Sequence, residues 1–283
     1  MRYGTPSITT IAAAGLVIGM SLAGAAGAQE DASCARLEHD LERNEAQLSS
    51  REVNFILFDA AKRGCIGLSE QALRRGASLR ARDRFGNTAL LLAARAGHTE
   101  LVGYLLEQGA DIAHLNLANS GALLRAVSAD QERTALLLLD AGADPNVGDR
   151  GGITPLAAAT FNGNQELVRR LIEHGAETNR VDATGKPPIV YAAGKGYGDI
   201  LAILLDAGVD VNTRDGHQLT PLMWAAGHDD EAAPEAGLAT VELLLARGAD
   251  PSLTDDRGRR AADIAEQRGH AEIAARFNEL GPK

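Results

Sequence analysis

The sequence predicts an all-α solenoid of about seven stacked helix-turn-helix units, and three observations carry that prediction. First, Gly109-Ala110-Asp111, Gly142-Ala143-Asp144, Gly175-Ala176-Glu177 and Gly208-Val209-Asp210 recur every 33 residues. A degenerate copy, Gly76-Ala77-Ser78, lies one period earlier, and Gly248-Ala249-Asp250 follows 40 residues after the last. Second, apolar pairs fall in one register: Leu105-Leu106, Leu138-Leu139, Leu171-Ile172, Leu204-Leu205 and Leu244-Leu245. Third, the small pairs Ala93-Ala94, Ala192-Ala193 and Ala225-Ala226 hold a second register, where helices of adjacent units can approach closely. Self-similarity of this length marks a stack in which each unit buries its apolar face only against its neighbours.

The chain divides in order as follows. Residues 1–28 carry Arg2, then an uncharged, mostly apolar run from Ile8 to Leu22, then Ala26-Gly27-Ala28 before Gln29. That is the layout of a cleaved secretory signal. A retained anchor is the alternative, although the run is short for a membrane span of ~20 residues. Cleavage implies export, to a bacterial periplasm, with no membrane association afterwards. Residues 29–50 read as a capping helix whose stripe is Cys34, Leu37, Leu41 and Leu48, and Ser49 with Glu52 reads as a capping box. Seven units follow over 51–283: a diverged first at 51–82, five at 83–115, 116–148, 149–181, 182–214 and 215–254, and a truncated last at 255–283. In the last, Arg259, Arg260, Asp263 and Glu266 replace apolar residues, as an open end requires.

Within each unit, Thr154-Pro155 and Thr220-Pro221 start a helix, since Pro at the first turn lacks an N–H that has no partner there anyway. Leu90, Leu123, Leu156 and Leu222 follow at one core register. The Gly of each triplet ends the second helix in a left-handed backbone that other residues resist. The third unit departs, with Gly121-Ala122 for Thr-Pro and Asp130-Gln131 for Gly-His, and reads as the weakest internal one.

The run Asp149-Arg150-Gly151-Gly152-Ile153-Thr154-Pro155-Leu156-Ala157-Ala158-Ala159, completed by Gly163 through Glu177, resembles an ankyrin repeat. The resemblance covers residues 51–283 and implies a β-turn plus two antiparallel helices per unit. It also implies a protein-interaction module rather than an enzyme. The histidine that such repeats usually place after Thr-Pro-Leu is replaced by Leu91, Ala157, Val190 and Met223, so its hydrogen-bond network should be missing.

Composition bounds the chemistry. The 283 residues carry a formal charge of −10; removing Arg2, the one charged residue before Gln29, leaves 27 basic against 38 acidic side chains, or −11. An acidic chain with 4% aromatics suits neither phosphate-backbone binding nor base stacking. No nucleophile elbow, phosphate-cradling loop or paired carboxylates suggest catalysis, and no cofactor or resident metal is expected. Cys34 and Cys65, an even count in an exported chain, suggest a disulfide that staples the cap to the first unit. A free Cys65 at a helix start is the redox alternative. His98 and His270 read as helix-start residues, and His39, His114 and His174 as solvated. The insertion His228 to Glu235 breaks the period; it enlarges the turn of the sixth unit as a solvated acidic loop, a partner contact or a cation site.

Ankyrin proteins generally meet partners with turn tips and the exposed face of the first helices. The resemblance therefore places a protein partner against Arg84, Phe85, Asn87, Arg95, Arg150, Ile153, Phe161, Asn162, Lys186, Lys195, His217, Leu219 and His228. Arg and aromatic anchors on a concave face are what interface hot spots use. The competing reading is that these rings pack on neighbouring turns. Tyr191 and Trp224, in one register of adjacent first helices, are expected to touch.

Overall fold

The computed structural model describes residues 34–35, 38–39, 48–228 and 234–280. The signal segment and most of the capping helix lie outside them. Among the described residues the chain forms fourteen helices of the units and no strand. They pair in order: α1 (Ser50–Arg63) with α2 (Ile66–Arg74), α3 (Ala89–Ala96) with α4 (Thr99–Glu107), and α5 (Ala122–Ser128) with α6 (Glu132–Asp140). Then come α7 (Pro155–Asn162) with α8 (Gln165–Glu173), α9 (Pro188–Lys195) with α10 (Gly198–Asp206), α11 (Pro221–Ala226) with α12 (Pro234–Ala246), and α13 (Ala261–Arg268) with α14 (Ala271–Glu279). First helices pack on first helices and second on second from one end to the other.

The core follows the two registers. Leu90, Leu123, Leu156, Ile189 and Leu222 are buried between first helices, and all three alanine pairs are inaccessible. Of the second-helix pairs, Leu105, Leu138, Leu171, Leu204 and Leu244 are fully buried. Their followers are half-exposed except Leu139. A buried leucine contributes ~1.5–3 kcal/mol by transfer, so the stack rests on these columns.

Local geometry explains the boundaries. Ser49 accepts the Glu52 N–H while Glu52 returns a bond to Ser49 N–H, closing the capping box. Thr154 and Thr220 cap α7 and α11 by accepting from Ala157 and Met223 N–H. Every triplet glycine is left-handed, with φ between 85° at Gly175 and 91° at Gly76. Asp130 takes a left-handed φ of 54° at the end of α5 where the neighbouring units use glycine.

The insertion divides between helix and turn. Helix α12 has 13 residues against 9 in α10, so four of the seven added residues extend its N-terminus and the other three lengthen the turn before it. Residues 229–233 lie outside the described set. Cys34 and Cys65 are joined, S–S 1.93 Å, with Cys65 buried at the N-cap of α2.

Candidate functional site

The concave face is built from the turn tips and the first helices, and one carboxylate or amide organises each tip. Asp83, Asp149, Asp182, Asp215 and Asp255 each accept two backbone N–H groups, two and four residues on. Asn116 does the same in the third unit. Tips are also joined to one another, through Leu117 N–H to Phe85 O, Arg150 N–H to Ala118 O, Ala183 N–H to Gly151 O and Gly216 N–H to Gly185 O. The missing family histidine is thus replaced: its position stays apolar and buried, and the tip carboxylates carry the polar network.

In the fifth and sixth units that network reaches the groove. The Tyr191 hydroxyl donates to Asp182, and Trp224 Nε1–H donates to Asp215 at 2.9 Å. Burial and then the Asp182 bond push the Tyr191 hydroxyl above its usual range. Burial alone would raise Asp182, but bonds from Tyr191, Thr184 and Lys186 outweigh it and hold the carboxyl low. Lys186 Nζ sits 5.9 Å from the Tyr191 ring centre and 4.7 Å from that of Trp224. No ring–ring contact joins Tyr191 to Trp224; Tyr191 instead meets Phe161 edge-on at 5.8 Å. The expected Tyr191–Trp224 contact is replaced because each ring turns to its own tip carboxylate.

Phe161 is 51% exposed, and Lys195 Nζ lies 5.1 Å over its ring. Beside it, Ser128, Ile153, Ala157, Ala158, Asn162 and Tyr191 complete an apolar hollow of ≈ 340 Å³. Asn162 itself donates to Val127 O at 2.9 Å, which ties α7 to α5. Ile153, Phe161, Asn162, Lys186 and Lys195 are therefore brought together at mid-groove. Leu219, half-buried, packs on the core close by.

Arg84 and Phe85 belong to a separate cleft of ≈ 1140 Å³ at the N-terminal end, shared with Arg51, Phe55, Lys62 and Arg82. Arg84 stacks on Phe85 at 4.7 Å and Arg51 on Phe55 at 5.6 Å. Between the two sites stand exposed Arg95 and half-buried Arg125. Desolvation, and next the Arg95 charge, lower the Arg125 guanidinium from its ordinary value. Its buried Nε has no hydrogen-bond partner. Arg150 is an exposed tip residue, and His217 pairs with Asp256 at 3.3 Å on the far tip.

Two candidates turn inward. Asn87 is 4% exposed, donating to Asp83 and accepting from Asn116 Nδ2–H at 2.9 Å, because a tip needs that bridge to the next. His228 is 6% exposed, stacked on His270 at 4.0 Å with Nδ1 on Ala225 O. The other histidines also work for the stack. His98 and His270 bond the Lys62 and Ala226 carbonyls of the preceding units. His114 is half-buried against Gly86 O instead of solvated. Exposed His174 keeps Nδ1 on Arg170 O. Reading the sequence missed Arg125 and Phe55. Arg125 shares the register of Tyr191 and Trp224, which was the signal available for it. Phe55 lies on the extra N-terminal turns of the 14-residue α1, outside any repeat register.

Residues 57–149, 142–215 and 159–235 match the family model for three-copy ankyrin repeats, and 217–256 match a single ankyrin repeat. The crystal structure of EF0377, an ankyrin repeat protein, is similar with a TM-score of 0.61 and 28% identity. The likeness covers 67% of this chain and 96% of that one. No curated protein matches the chain.

Proposed function

The chain belongs to the ankyrin repeat family, whose repeats are protein–protein interaction modules, and from that premise we propose an exported scaffold that holds a partner protein on its concave face. One observation carries this reading. Phe161 stands half-exposed over an apolar hollow, fixed by Tyr191 on one side and Lys195 on the other. A ring already held in place loses little side-chain entropy when covered, and that is the condition for an interface anchor. The surrounding cations and half-buried aromatics suit the polar rim and apolar centre of such a contact.

The mechanism is equilibrium recognition, with no chemical step. Export is part of the proposal: it rests on the Ile8–Leu22 run and agrees with a joined Cys34–Cys65 pair, which an oxidising compartment maintains. A periplasmic form beginning at Gln29 is the expected product, and intact mass of the fractionated protein checks it.

The test of the surface is a Phe161→Ala/Arg95→Ala double variant used as bait beside the unaltered protein. Partner capture should fall by about tenfold or more per lost anchor-scale contact. Undiminished capture by a variant with native circular dichroism rejects the concave-face assignment.

A further inference from the structure

The sign of the groove is opposite to that of the molecule. Helices α3, α5, α7, α9 and α11 line it and contain Arg95, Arg125 and Lys195 but no carboxylate. The partnering second helices α4, α6, α8, α10 and α12 contain ten carboxylates against three arginines. These second helices therefore carry −7 between them, against +3 on the first helices they back.

Tip carboxylates are offset by cations of the same tips, Asp83 by Arg82 and Arg84, Asp149 by Arg150, Asp182 by Lys186 and Asp215 by Arg214. Asp83, which attracts both Lys62 and Arg125, is already held by two backbone N–H groups and the Asn87 amide. Asp149 and Asp182 are held by their own tips in the same way. Asp59, in the N-terminal cleft, pairs with Arg63 at 2.9 Å. Arg95 lies near enough for its charge to act on half-buried Arg125, whose buried Nε has no hydrogen-bond partner, and neither guanidinium forms a carboxylate ion pair among the described residues. Two like charges in that setting destabilise the free protein, and an incoming anion relieves them.

We infer that the concave face from the first to the fourth unit binds an acidic, extended segment of a partner protein. One carboxylate would fall between Arg95 and Arg125, and an adjacent apolar side chain would fill the hollow under Phe161. Electrostatic complementarity of this kind sets partner choice and encounter rate more than raw affinity. A phosphate polymer fits less well, because the hollow beside the arginines has apolar walls: Ile153, Ala157, Ala158 and Phe161. This inference rests on the concave-face reading and names the chemistry of its partner.

The experiment pans a library of phage-displayed random dodecapeptides on the purified full chain, then measures synthetic hits by fluorescence anisotropy. Recovered peptides should be rich in Asp and Glu and carry a large apolar residue. Replacing their acids with Lys, or using Arg95→Glu protein, should weaken binding by about tenfold or more, with the effect shrinking in salt. Arg125→Gln, which keeps the side chain nearly its size, serves as the second variant, and circular dichroism confirms that each folds. Hits without acidic bias, an empty selection, or insensitivity to both arginine changes overturns the proposal. So does tighter binding of oligodeoxythymidine than of any peptide. If Arg95→Glu still captures a partner that Phe161→Ala loses, the concave-face reading stands and the acidic segment alone fails.

Discussion

The third and fifth units reach one backbone by different side chains. In the fifth, Gly185 turns the tip with φ 79°, and the next tip lies against it. Asp182 gathers Thr184 and Lys186 N–H and holds Tyr191 in the groove. In the third, Asn119 makes the turn at φ 61° and spends its amide on Gly148 O at 2.8 Å. Neutral Asn116 stands where Asp182 stands, accepting the same two backbone bonds while its Nδ2–H reaches Asn87. Register, then, is specified by hydrogen-bond roles and not by residue identity. The unit whose sequence departs most still completes its tip.

That contrast can be broken most forcefully at Gly185. An alanine Cβ there would lie 2.8 Å from the backbone of Gly216, in a left-handed conformation that already disfavours it. Gly185→Ala should cost about 2–4 kcal/mol from strain and overpacking together. Asn119→Gly, which relieves a left-handed side chain but forfeits one bond, should stay within about 1 kcal/mol. Urea denaturation of both variants measures the difference. Equal losses would mean that the tips are not closely joined.

A smaller effect separates Asp182 from Asn116 by pH. Hydrogen bonds hold the folded Asp182 carboxyl below its unfolded value of 3.8. A lowered value adds stability that is complete above the unfolded pKa and is lost as pH falls through the folded one. Asp182→Asn should therefore cost about 1–2 kcal/mol at neutral pH, and the gap should narrow as pH drops below about 4. Tyr191 runs the other way: its raised value adds stability that is lost as pH climbs above its unfolded value of 10.0. Stability curves at acid, neutral and alkaline pH check both limbs. A gap that ignores pH sinks the coupling between tip and groove.

How far the sequence exposed all this differs by element. The period and the Leu and Ala registers fix which faces stack, because a helix one position out of register would lose its whole buried column. The left-handed glycines are equally plain, since few other residues accept that backbone. The interior fates of Asn87 and His228 were not plain. Exposure at a tip depends on what the neighbouring unit presents, and Asn116 and His270 lie 29 and 42 residues away. The charge of the groove was hidden for a similar reason. A total of −10 averages helices that face opposite sides, and only the assignment of each to inside or outside separates Arg95 and Arg125 from the acids behind them.

The mildest test returns to the third unit. Asp130 ends α5 at φ 54°, where Gly97 and Gly163 end α3 and α7 at φ 80° and 77°. A carboxylate side chain in that backbone is under strain that glycine does not feel, although glycine also frees the unfolded chain and offsets part of the gain. Asp130 does accept one long bond, 3.3 Å, from Asn164 Nδ2, but that amide also reaches Glu132 at 2.9 Å and keeps a partner when Asp130 is removed. Asp130→Gly should thus stabilise by about 0.5–1 kcal/mol and raise the denaturation midpoint without changing its slope. A loss of stability would mean that the Asn164 contact across the two units outweighs the backbone strain at Asp130.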